Sequence, residues 1–216
     1  MKRALIVGAT GLVGRALLDL LLGQNEYDKV YVVGRRSLDF SHPKLECKVV
    51  DFDDMVGFSL PEKIHDLFIT LGTTRHKAGS REAFYRVDHD YVVDFARWGA
   101  ANGVEKVLVV SSIGADPLSV NFYLKTKGSM EEAVKNCGVA TIYIFRPALL
   151  LGARKEFRFG EKLGGWLLRL FQPLLVGRYR RYRPIQASQV AYAMFNMAQM
   201  RRKTIYVMES DEIALI

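Results

Sequence analysis

Metal ligands and bridging thiols are scarce in this chain. Cysteine occurs twice in 216 residues, as Cys47 and Cys137, with no C-x-x-C pair. The four histidines, His42, His65, His76 and His89, share no ligand spacing and no Ser–His–Asp context. A zinc module, a disulfide framework and a serine-hydrolase triad are therefore excluded. The two cysteines read as reduced, buried thiols of a cytoplasmic protein. Long apolar runs are missing too. Arg169 and Pro173 break the best candidate for a membrane span, which needs roughly 18 uninterrupted apolar residues. The run behind Met1-Lys2-Arg3 is too short for a signal peptide and is interrupted by glycines. There is no internal repeat, no low-complexity tract and no nucleic-acid-binding module. What remains, 50% hydrophobic and 25% charged, is the composition of an ordinary globular enzyme of one domain, residues 1–216.

Charge is present but unevenly placed. Nine of the basic residues fall between Leu150 and Ile185 (Arg154, Lys155, Arg158, Lys162, Arg169, Arg178, Arg180, Arg181 and Arg183) against Glu156 and Glu161. That stretch carries +7 of the chain's +8, so the remainder is almost neutral. It suits a helix packed over a substrate cleft with solvated arginines, or cations that recognise an anionic substrate or carrier. Docking to a membrane surface, or tyrosines stacking on nucleic acid, is the weaker third reading, and no nucleic-acid motif supports it.

The first fourteen residues are the most informative. Arg3-Ala4-Leu5-Ile6-Val7 reads as a buried strand and runs into Gly8-Ala9-Thr10-Gly11-Leu12-Val13-Gly14, where a helix opens. Gly8 permits the tight turn, Gly11 lets backbone approach a phosphate, and Gly14 allows close helix–strand packing. Amide groups and the positive end of the helix dipole then face an anion. Strand, glycine turn and helix together predict a dinucleotide pyrophosphate site. The spacing is G-x-x-G-x-x-G, not G-x-G-x-x-G.

Further strands are expected at Lys29–Val33, Leu45–Val50, Leu67–Thr70, Lys106–Val110, Thr141–Phe145 and Thr204–Met208. Helices are expected at Arg81–Asn102, Phe122–Asn136 and Ala187–Met200. The alternation predicts an α/β, Rossmann-like, doubly wound parallel sheet. A small basic insertion on the substrate side, about 150–185, breaks it.

The second strand ends Val33-Gly34-Arg35-Arg36, without the acidic residue that binds a ribose 2′-hydroxyl in NAD-preferring folds. Two guanidinium groups there favour a 2′-phosphate, hence NADP(H). Asp51 either faces the adenine or sits in a solvated turn. Tyr123 and Lys127, four residues apart, share one helix face, where a lysine can stabilise a phenolate or hold ribose hydroxyls. Ser112, with Ser111 as the alternative, stands at a strand end where a hydroxyl can hold a substrate carbonyl.

These features, with Leu71-Gly72-Thr73-Thr74-Arg75, Arg86-Val87-Asp88, Asn121-Phe122-Tyr123 and Phe145-Arg146-Pro147, resemble the atypical short-chain dehydrogenase/reductases. Within that class they are similar to the Tat-interactive-protein-like branch. The resemblance spans Ala4 to about Gln199. It implies NADPH binding, with Gly8, Thr10, Gly11, Leu12, Val13 and Gly14 at the phosphates and Arg35 and Arg36 at the adenosine phosphate. Leu71, Gly72 and Thr73 would lie along the cofactor, Tyr123 and Lys127 at the reacting end, and Leu150 and Arg158 near the nicotinamide half or the phosphates. The implied activity is hydride transfer to or from a small carbonyl or alcohol substrate; the alternative is an NADPH-binding regulatory protein without turnover. Two departures stand out. Leu71-Gly72-Thr73 replaces the superfamily's Asn-Ala-Gly, and Asp88 replaces the helix asparagine of its proton relay.

Overall fold

In a computed structural model of the chain, residues 1–55, 57–152 and 177–216 are described. Strand β1 (Lys2–Val7) leads through the glycine turn into α1 (Leu12–Gly23), followed by β2 (Tyr27–Gly34) and β3 (Leu45–Val49). After β4 (Asp66–Ile69) come two short helices, α2 (Arg75–Ala78) and α3 (Arg81–Tyr85), a π-helical turn (Arg86–Asp90) and α4 (Tyr91–Ala101). Then follow β5 (Lys106–Val110), α5 (Phe122–Lys135), β6 (Ile142–Arg146) and β7 (Leu150–Leu151). A 3-10 turn (Gly177–Tyr182), β8 (Ile185–Gln186), α6 (Ala187–Gln199), β9 (Ile205–Glu209) and α7 (Ser210–Ile213) complete the order.

Seven strands form one parallel sheet in the order β3-β2-β1-β4-β5-β6-β9. The chain winds outward from β1 in one direction and then from β4 in the other, so the order reverses between β1 and β4. In open α/β sheets a ligand crevice lies at that reversal, beyond the carboxyl ends of the strands.

The strands are near-continuous apolar runs because both faces of the sheet are covered. Ala4, Ile6, Val30, Val32, Phe68 and Leu108 point to a core shared with α1 and α6. Leu5, Val7, Tyr31, Val33, Leu67 and Val109 point to the other, shared with α4 and α5. At the amino ends of the strands a fully buried Asp66 accepts a hydrogen bond from Tyr27 Oη at 2.7 Å, with Lys2 Nζ at 3.3 Å and Lys106 Nζ at 3.7 Å. Burial, reinforced by Asp66, holds the Tyr27 phenol well above its usual titration range. This clip joins β1, β2, β4 and β5 at the end of the sheet remote from the crevice.

Two expectations need correction, and a third lies largely outside the described residues. Cys47 is exposed and Cys137 half-buried, because β3 is an edge strand and Cys47 faces outward from it. The expected helix Arg81–Asn102 is divided by the π-helical turn, which inserts a wider loop of backbone and turns Asp88 inward. Of the basic stretch, residues 153–176 lie outside the described residues. Its two flanks are tied together, since Leu150–Leu151 pairs in parallel with Ile185–Gln186.

The glycine turn is sterically exacting. Gly8 adopts φ +95°, and a Cβ on Gly14 would lie 2.2 Å from Gly8 O and 2.5 Å from Thr70 Oγ1. Gly14→Ala should therefore lose about 1–3 kcal/mol in urea denaturation. Gly23→Ala, where a Cβ would meet nothing within 4 Å, should be neutral or gain about 0.5 kcal/mol.

Candidate functional site

The turn after β1 closes with Gly11 N–H donating to Gly8 O at 3.0 Å. Gly11 is the N-cap of α1 and offers no side-chain acceptor, and the first turn of α1 contains no acidic residue. The first amides of this helix are thus left without a side-chain cap, which suits an anion. Thr10 and Gly11 are exposed there, Leu12 is half-buried and Val13 is buried. Gly8 lies directly on the turn after β4: its Cβ position is 2.7 Å from Thr70 C and 2.9 Å from Leu71 N. On the other side, a Cβ on Gly152 would be 3.1 Å from Leu12 Cδ2, which brings the segment carrying Leu150 to the start of α1.

Gly72 continues this floor. A Cβ at that position would be 3.5 Å from Asp88 Oδ1 and 4.0 Å from Lys127 Nζ. Lys127 is buried on α5, and its Nζ lies 2.7 Å from Asp88 Oδ1. The other carboxylate oxygen, Oδ2, accepts the Thr73 amide at 2.8 Å. Burial alone would pull the Lys127 ammonium down, but Asp88, with Tyr123 and Glu131 on its own helix, together outweigh it and hold the group above its usual value. Tyr123 stands one turn earlier on α5, half-buried, with its ring 5.8 Å from that of Phe84. Asn121 sets the helix start: its Oδ1 accepts from Tyr123 N at 2.9 Å and Leu124 N at 3.2 Å. Gly128 then lets α5 lie against the backbone of Asp116–Pro117, where a Cβ would approach to 2.2 Å.

The two serines differ. Ser111 is buried and its hydroxyl donates to Glu131 Oε1 at 2.5 Å. Glu131 also takes the Arg146 guanidinium as a fork, with Nε–Oε1 at 2.9 Å and Nη2–Oε2 at 2.6 Å. Arg146 reaches on to Glu209 at 3.1 Å and to the Ala115 carbonyl at 3.0 Å. Ser112 is half-buried, and among the described residues its hydroxyl makes only a long contact, 3.4 Å, with the Ile113 carbonyl. Ser111 is committed to the network that fixes α5 to the ends of β6 and β9, whereas Ser112 has a hydroxyl to offer.

Arg35 and Arg36 are exposed at the end of β2. Arg35 borders a cleft of about 800 Å³ that also takes in Arg81, Tyr85, Arg86, Tyr91 and Phe122. The glycine turn and Lys127 are not among its lining residues. Asp51 is exposed, and its Oδ1 accepts from Asp53 N at 3.0 Å, the geometry of an Asx turn. Arg158 lies outside the described residues. Among the described residues no cluster of His, Cys, Asp or Glu could hold a metal ion, and no helix is long and apolar enough to cross a membrane.

Residues 4–207 match the NAD dependent epimerase/dehydratase family. The chain belongs to that family. Among curated relatives of this NAD dependent epimerase/dehydratase chain, Protein HTATIP2 of Rattus norvegicus is 38% identical over 199 residues, covering 90% of this chain and 80% of the relative. Protein FMP52, mitochondrial, of Candida glabrata is 35% identical, covering 89% and 83%. The resemblance to atypical short-chain dehydrogenase/reductases of the Tat-interactive-protein-like branch is thereby borne out. Solved structures of similar fold include MoeE5 in complex with UDP-glucose and NAD, with a TM-score of 0.70 at 19% identity over 95% of this chain and 75% of that one. The Bordetella bronchiseptica enzyme WbmH in complex with NAD+ has a TM-score of 0.69 at 16% identity over 97% and 76%.

Sequence reasoning missed the roles of Glu131 and Asn121. Glu131 was within reach of the pattern, since Tyr123, Lys127 and Glu131 repeat every four residues on one helix face. Glu131→Ala leaves Arg146 without its forked partner and should cost about 3 kcal/mol in chemical denaturation. Ser112→Ala should stay within about 0.5 kcal/mol of wild type in the same assay.

Proposed function

We propose that the protein is an NADP(H)-dependent oxidoreductase acting on a small carbonyl or alcohol. The observation that carries this reading is the continuity of the glycine turn with Gly72, Asp88 and Lys127, beside an exposed arginine pair at the end of β2. The residues fit a dinucleotide. The crowded Gly8–Gly14 turn leaves no room for a Cβ at Gly14, and α1 begins without a side-chain cap. Arg35 and Arg36 would supply charge for a 2′-phosphate, and Leu12, Val13, Leu71, Gly72 and Thr73 would hold the phosphates and riboses.

A bound nicotinamide supplies or accepts the hydride at its C4. Tyr123 gives a proton to the carbonyl oxygen in reduction and removes it in oxidation. Lys127 holds the ribose hydroxyls and favours the phenolate that Tyr123 becomes. Ser112 donates to the carbonyl oxygen and orients it, while Ser111 holds Glu131. The basic composition of the stretch between Leu150 and Ile185 suits a substrate or carrier that bears a negative charge. The two free cysteines favour a reducing compartment, here the cytoplasm, and a tagged chain would separate this from the mitochondrial label of the FMP52 relatives.

A second reading, cofactor binding without turnover, is favoured by one observation: Asp88 already pairs with the ammonium that Tyr123 needs. Titration with NADPH and NADH, followed by nicotinamide fluorescence, tests the cofactor. NADPH should bind more tightly, and Arg35→Ala should weaken NADPH by about tenfold and leave NADH nearly unchanged. Equal affinities would contradict the nucleotide preference. Tyr123→Phe should cut carbonyl reduction by at least about 100-fold while keeping NADPH affinity. Bound NADPH with no turnover across a panel of aldehydes and ketones would favour the second reading.

A further inference from the structure

Asp88 is the residue on which three separate pieces of backbone converge. It sits in the π-helical turn between α3 and α4. Its Oδ1 faces the ammonium of Lys127 on α5 at 2.7 Å, and its Oδ2 accepts from Thr73 N, on the turn after β4, at 2.8 Å. The carboxylate is 1% exposed and the Lys127 side chain 4%. Gly72 lies close against both.

The chemistry of the two partners decides which side chain can stand here. An ammonium and a backbone amide are both donors, so position 88 must present two acceptors. A carboxylate does so. An asparagine of the same shape has one acceptor oxygen, and its NH₂ group would confront the second donor. The replacement of the superfamily's asparagine by Asp88 is thus matched to a contact that an asparagine could not complete.

Other titratable groups near Lys127 do not take over this task. Tyr123 and Glu131 approach from its own helix, but Glu131 is occupied by Arg146 from the end of β6 and by Ser111 from the residue after β5. Among the described residues, Asp88 is the counter-charge brought from a different element.

We infer that Asp88 is a positioning residue for the nicotinamide half of the cofactor, fixing the Lys127 ammonium and the Thr73 amide relative to each other before the cofactor arrives. An ammonium has three donor hydrogens. With one turned to Asp88, the remaining donors stay free for the ribose hydroxyls. Preorganisation of this kind improves affinity by removing the ordering cost from the binding step. The inference rests on the dinucleotide-binding reading above and assigns one part of that site.

The test compares two ligands. NADPH carries the nicotinamide ribose; 2′,5′-ADP carries only the adenosine half. In Asp88→Asn, affinity for NADPH should fall by about tenfold while affinity for 2′,5′-ADP stays within about twofold. In a Lys127→Met background the same substitution should have little further effect on NADPH, because its partner is gone. Equal losses for both ligands would mark a general structural role and overturn the inference, as would unchanged NADPH affinity. Wild-type protein that binds neither NADPH nor NADH would overturn the dinucleotide reading and this inference together. A measurement on the wild type guards against variants that fail to fold. Without cofactor, the Thr73 amide should exchange its hydrogen far more slowly than an unstructured amide; exchange at the unstructured rate would overturn the proposal.

Discussion

A buried ammonium requires a counter-charge, and the rim of the sheet is arranged around that requirement. Removing one ion from water costs several kcal/mol, and the loss is recovered only when a partner of good geometry and further hydrogen bonds surround it. Lys127 meets Asp88 at 2.7 Å, and Asp88 completes its own valences on the Thr73 amide. One turn along α5, Glu131 repeats the arrangement with the sign reversed, buried and held by Arg146 and Ser111. These two clusters tie α5 to the turn after β4 and to the ends of β5, β6 and β9. The face of α5 that carries Tyr123 is fixed as a result.

The same rim explains where the crevice lies. Parallel strands wound outward in both directions from β1 and β4 leave a gap at their carboxyl ends. The glycine turn can close onto Thr70 and Leu71 only because no side chain intervenes at Gly8 or Gly14. Backbone contact on one side and a buried charge pair on the other give a floor of fixed shape. An exposed pair of arginines, Arg35 and Arg36, stands at the end of β2.

Much of this was legible in the chain. Strands buried on both faces appear as continuous apolar runs, so β1, β4, β5 and β6 could be read within a residue or two. Gly8, Gly11 and Gly14 announced the turn because their spacing has a steric reason. The π-helical turn was not legible, since one extra residue of backbone barely disturbs the apolar stripe of Phe84, Tyr91, Phe95 and Trp98. Asp88 could be seen as an unusual residue, but not as a partner of Lys127, which lies in another helix. Nor could the serines be told apart. The difference rests on Glu131, twenty residues away from Ser111, and on the Arg146 that holds it. Cys47 was misread because an isolated strand does not reveal whether it is central or at an edge.

In the proposed reading, Lys127 holds Asp88 and the cofactor at once. A crystal structure of the protein grown with NADPH measures this directly. Lys127 Nζ is expected within about 3 Å of both Asp88 Oδ1 and a nicotinamide ribose hydroxyl, with Tyr123 Oη facing C4 of the nicotinamide. A Lys127 that abandons Asp88 for the ribose, or a nicotinamide beyond the reach of Tyr123, would contradict it.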